Sequence, residues 1–162
     1  MDLDIYPGAS TTKEISVSIS FQHPDTTGEI HTFQVKEMPL EEKNGEITLI
    51  FSITDENNEE QGAIIGTMRK KKGKKEFFVF QSKNNTTEKD LGGKITSKSV
   101  YKGLVGEAIA NLIEKGIVDI WHSDVQISDG AVKMYENLLK RHGNLEYIEN
   151  DNFPYVLQRN RD

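Results

Sequence analysis

The chain has 162 residues, of which 35% are hydrophobic and 28% charged, with a net charge of −6 and no apolar run of transmembrane length. These figures predict one soluble globular domain over residues 1–162, and no membrane partner is expected. Cysteine is absent, which excludes a disulfide framework, a thiolate zinc site and a cysteine nucleophile and agrees with a reducing compartment. Met1 to Tyr6 carries neither a basic n-region nor an apolar h-region, so a cytoplasmic location is expected.

The charge is uneven. Residues 69–76, Arg-Lys-Lys-Lys-Gly-Lys-Lys-Glu, hold six positive charges and one negative, a local +5 that leaves −11 for the remainder. Such an octet suits either a phosphate or a solvated hairpin tip. The second reading is favoured, because lysines at a tip keep strand edges from pairing with other sheets. Phe77-Phe78 beside it leaves base stacking as the weaker alternative, and nucleic acid is the disfavoured partner.

In chain order, Ile15, Val17, Ile19 and Phe21 alternate as one face of a strand, Asp25-Thr-Thr-Gly28 is a turn, and Ile30 to Val35 returns. Pro39 is expected to end that strand. Asn44-Gly45 introduces a strand over Ile47 to Ile53, and Asp55 to Gln61 connects it to Ala63 to Met68. The octet, centred on Gly73, is then a hairpin turn with Phe77 to Phe80 on its far side. Residues 82–94 read as a loop. Leu104, Val105, Ala108, Ile109, Leu112 and Ile113 recur at helical spacing, and Gly116 suits a left-handed stop. Ile117 to Ile127 is expected to be a strand, and Ser128 or Asp129 caps a second helix striped by Ala131, Met134, Tyr135, Leu138 and Leu139. Leu145 to Ile148 and Tyr155 to Leu157 are the last strands. The predicted class is α+β, a mixed, mainly antiparallel sheet with two main helices.

Chemistry concentrates at Ile95 to Ile109, a strand passing through a glycine-bearing turn into a helix. Unpaired N–H groups and the positive dipole end at such a helix start can hold a pyrophosphate, and Gly103 and Gly106 would allow close approach. A tight turn without a ligand is the ordinary alternative. His122 and Asp124, two residues apart on one strand face, suit a general base and an orienting acid, unless that face is only solvated. The four histidines lack ligand spacing, so no metal is expected. No Gly-x-Ser-x-Gly elbow or Walker lysine motif occurs.

The turn over Tyr101 to Gly106, paired with Ala131-Val-Lys-Met-Tyr135 and the helix stop at Gly143, resembles the GNAT superfamily of N-acetyltransferases. That family has a strand, an R/Q-x-x-G-x-G/A turn and a helix that bind the acetyl-CoA pyrophosphate. A strand and a helix beginning near N-x-x-A-x-x-x-Y follow. The likeness covers residues 45–150 as a GNAT-like C-terminal core, with 1–44 as divergent N-terminal strands. Ser128 stands where Asn is usual. Aligned without a gap, Tyr101 replaces the leading Arg or Gln and Leu104 the first Gly; with one deletion, Tyr101-Lys-Gly103 matches a Tyr-Arg-Gly variant. The spacing of Ser123, Asp124 and Ser128 also resembles GNAT-like domains of phages and mobile elements.

The resemblance implies that acetyl-CoA is the co-substrate. It would lie against Lys102, Gly103, Leu104, Val105, Gly106, Glu107 and Ser128, with pantetheine in a V-shaped opening between the strand before Tyr101 and the strand at 117–123. Tyr135 would protonate the departing thiolate, and an amine on a protein or small molecule would be the acceptor. A buried core tyrosine is the alternative for Tyr135. Leu104 keeps a second function in view, an inactive GNAT-like module that binds a macromolecular partner, and a closed seam would favour it.

Overall fold

A computed structural model describes residues 16–84 and 101–160. Alternating apolar residues form a five-strand antiparallel meander, β1 (Ser16–Pro24), β2 (Ile30–Lys43), β3 (Glu46–Thr54), β4 (Glu60–Lys71) and β5 (Lys74–Asn84). The turns at one end are Asn44-Gly45 and Lys72-Gly73, both residues of each pair having positive φ, the two-residue geometry whose twist matches antiparallel strands. At the other end Asp25 and Asp55 each accept from backbone N–H groups two and four residues on, closing the longer turns.

After the meander come α1 (Leu104–Glu114), β6 (Ile120–His122), α2 (Asp129–Arg141), β7 (Leu145–Tyr147) and β8 (Val156–Arg159). The eight strands form one sheet in the order β1-β2-β3-β4-β5-β6-β8-β7. Only β6 runs parallel to its neighbour β5, because α1 carries the chain back across the sheet before β6 begins. The α+β class is as the sequence predicts.

Both helices cover the sheet face that carries Phe33, Phe51, Phe77 and Trp121, each fully buried. Phe51, Phe77 and Trp121 make a run of tilted rings, with centroids 5.0 and 4.9 Å apart. Leu104, Ala108, Ile109, Leu112 and Ile113 of α1 close over it. Truncating a ring such as Phe77 to Ala would cost about 3–5 kcal/mol through lost transfer energy and the cavity left behind.

Two expectations change. β2 does not stop at Pro39 but continues to Lys43 through a bulge between Pro39 and Glu41. The strand expected over 117–127 shrinks to Ile120–His122, since the chain turns away after Ser123 and Asp124 Oδ1 accepts from the Val125 N–H. The segment expected to lead into Tyr101, residues 95–100, lies outside the described residues, as does most of the loop over 82–94; the described strand that precedes α1 is β5. Of the candidate caps, Ser128 begins α2, its Oγ accepting from the Ala131 N–H at 3.1 Å.

Candidate active site between β5 and β6

The parallel ladder between β5 and β6 has three rungs, Glu76↔Ile120, Phe77↔Trp121 and Phe78↔His122. Beyond the third, β5 runs on to Asn84 while β6 has ended. A bulge helps to turn β5 away. Gly66 of β4 faces Val79 and Ile65 faces Gln81, so Phe80 is the extra residue. The bulge brings the Phe78 carbonyl over Gly66, where a Cβ would lie 2.3 Å from that oxygen and 2.6 Å from the Phe77 ring. Only glycine fits there.

The parting strands leave a gap of about 220 Å³, with Val79 and Ser82 on one side and Ile127, Ala131 and Tyr135 on the other. The gap shares Ser82 and Ser128 as walls with a groove of about 270 Å³ at the start of α1, which in turn shares Gly106 and Met134 with a space of about 390 Å³ edged by Lys102, Lys140 and Arg141.

The start of α1 has the polarity of an anion seat. Gly103, at φ 77°, occupies the N-cap in the left-handed region, which glycine alone enters freely. The Leu104 N–H returns to the Tyr101 carbonyl (3.2 Å) and the Glu107 N–H to the Gly103 carbonyl (3.0 Å). Val105 and Gly106 are left with N–H groups that have no acceptor among the described residues. Leu104 itself is fully buried in the core. Gly106 serves helix packing, because a Cβ there would meet Met134 Cγ at 3.1 Å. The Glu107 carboxylate is drawn aside by Arg141 and His142, each at 3.2 Å, which lessens its repulsion of an anion. The Lys102 carbonyl accepts from His23 Nε2 at 2.6 Å.

Tyr135 is buried in the core and also lines the gap. Its hydroxyl accepts from Trp121 Nε1 at 3.0 Å, and its ring stacks on Tyr155 at 4.9 Å. Burial pushes its pKa up to about 12, with the Trp121 bond opposing, so the phenol keeps its proton at neutral pH. Among the described residues that proton has no acceptor.

His122 lies on the opposite face of the sheet from Trp121, at the last rung. Its Nε2 bonds Glu76 Oε1 at 3.0 Å, its ring stacks on Phe78 at 4.1 Å, and Phe153 meets it edge-on at 4.9 Å. The carboxylate that orients His122 is therefore Glu76 and not Asp124, which sits past the end of β6 and binds the Val125 N–H at 2.7 Å. A carboxylate on Nε2 fixes the proton there, so Nδ1 bears the lone pair; it is buried without a partner among the described residues. Burial lowers the His122 pKa more than Glu76 raises it, which keeps the ring neutral.

The candidates thus fall into two groups. Lys102 to Gly106, Ser128, Tyr135 and Asp124 line three neighbouring spaces, whereas Glu107 and His122 line none of them, His122 lying on the other face at the last rung. Glu76 and Phe153 escaped the sequence reading, and His23 was weighed only as a metal ligand. Alternation along Glu76-Phe77-Phe78 was a signal for Glu76, but the β5–β6 register that brings it to His122 is not written locally. No protein-family model matches the chain, and no curated protein matches it in sequence. Among the described residues no helix is long and apolar enough to cross a membrane.

Proposed function

We propose that the chain is a GNAT-like N-acyltransferase that moves an acetyl group from acetyl-CoA to an amine of a protein or small molecule. The observation that carries this reading is the three-rung parallel ladder opening into a gap lined by Tyr135, beside a groove at a helix start whose Val105 and Gly106 N–H groups have no acceptor among the described residues. The Val105 and Gly106 N–H groups hold the pyrophosphate, with Lys102, Lys140 and Arg141 beside it. Pantetheine follows the groove into the gap.

The amine nitrogen attacks the thioester carbon, forming a C–N bond as the C–S bond breaks. Tyr135 gives its proton to the departing sulfur, and the amine nitrogen gives up its proton to solvent. Positioning supplies most of the rate, because the thioester is already activated.

Calorimetric titration with acetyl-CoA tests the reading: saturable binding is expected, and none at millimolar ligand overturns it. A second reading, an inactive binding module, draws on one observation. With the Leu104 N–H turned to Tyr101, two free donors remain to cradle a pyrophosphate.

A further inference from the structure

His23 and His31 face each other across β1 and β2, so both side chains lie on the same face. That face meets the turn that opens α1. His23 Nε2 donates to the Lys102 carbonyl at 2.6 Å, and His31 packs edge-on against Tyr101 with ring centroids 5.4 Å apart. Tyr101 in turn stands edge-on to Phe33 at 4.9 Å. The rung therefore carries two consecutive residues of the segment Tyr101-Lys102-Gly103.

His31 is also clamped by charge. Asp25 Oδ2, from the turn between β1 and β2, lies 2.8 Å from Nε2, and Glu56 Oε1, from the turn between β3 and β4, lies 3.2 Å from Nδ1. A carboxylate on each ring nitrogen requires both nitrogens to donate, which only the imidazolium does. Both carboxylates are held in place: Asp25 Oδ1 accepts from Thr27 and Glu29, and Glu56 Oε2 from the Thr32 N–H. Glu29, Tyr101 and His23 also stand beside His31.

We propose that the His23–His31 rung is a proton-controlled seat for the turn that opens α1: charged His31 clips two hairpin tips together beneath Tyr101, and its discharge frees that turn. The hydrogen bonds to Asp25 and Glu56 raise the His31 pKa above its ordinary value near 6.5. A raised pKa gives stabilisation that is complete below the unfolded value and is lost as pH rises through the folded one. The clip stands on its own geometry; its effect on acetyl-CoA rests on the function proposed above.

NMR titration of the full chain tests it, following the His31 ring and the Tyr101 to Gly106 amides from pH 5.5 to 9. The amides should move with the His31 midpoint, above 6.5, and His31→Gln should abolish that transition. Glu56→Gln, which leaves the ring in place, should lower both midpoints together. A His31 midpoint at or below 6.5, amides that do not follow it, or an unchanged transition in His31→Gln overturns the proposal. In parallel, calorimetric affinity for acetyl-CoA should fall severalfold across the same transition in the unaltered chain and stay level in His31→Gln. Affinity that is level in both overturns the coupling to the groove. Absence of acetyl-CoA binding at every pH, with the amide transition intact, overturns the proposed function and leaves the clip standing.

Discussion

At the residue scale, Tyr135 holds two positions that sequence reasoning treated as alternatives. It is a core residue, stacked on Tyr155 and bonded to the Trp121 indole, and it also faces the gap. Tyr135→Phe tests the two together. Losing the hydroxyl strands a buried Trp121 N–H, which should lower stability by about 1–3 kcal/mol in a denaturant titration. Turnover should fall by about 10²- to 10⁴-fold, as for loss of a general acid, while affinity for acetyl-CoA is nearly kept. Equal turnover in both proteins would remove the phenol from the chemistry and leave Tyr135 as a core residue alone.

At the scale of elements, local signals were sufficient wherever pairing is local. The meander was legible because each strand has period two and each tight turn its own chemistry, as at Asn44-Gly45. The helices were legible from the spacing of Leu104, Ala108 and Leu112 and from Ser128. What local signals missed depends on distant register: Glu76 reaches His122 through a parallel pairing across 46 residues, and β6 ends where the chain turns away after Ser123. The bulge at Phe80 is another such feature, imposed where Gly66 of one strand admits the Phe78 carbonyl of the next. Gly66→Ala therefore probes the divergence of β5 from β6. A Cβ 2.3 Å from a backbone oxygen must displace the strand, so the variant should lose about 1–3 kcal/mol by thermal or chemical unfolding and bind acetyl-CoA more weakly. Normal stability with normal affinity would show that the bulge does not shape the gap.

At the scale of the whole molecule, the +5 octet and the proposed anion seat lie at opposite ends of the sheet, since β5 begins at the octet and ends beside the groove. Within the octet, Arg69 lies over the Phe78 ring and 3.8 Å from Glu76, and Lys75 Nζ donates to the Gly116 carbonyl. Lys70, Lys71 and Lys72 are exposed, and the neighbouring hairpin offers the acidic Glu41, Glu42 and Glu46 at the same end. A tip so flanked is poorly suited to phosphate: strand pairing holds the acidic and basic turns side by side, and a polyanion meeting one meets the other. Replacing Lys70, Lys71 and Lys72 together with Gln should shift unfolding by no more than about 0.5 kcal/mol, as expected for exposed positions. Affinity for acetyl-CoA should be unchanged, because the groove is remote and screening is strong over that distance. Fluorescence anisotropy with a labelled oligonucleotide should detect no binding at physiological salt in either protein. Tight binding that the triple substitution abolishes, with a steep loss in added salt, would make the octet a nucleic-acid contact after all.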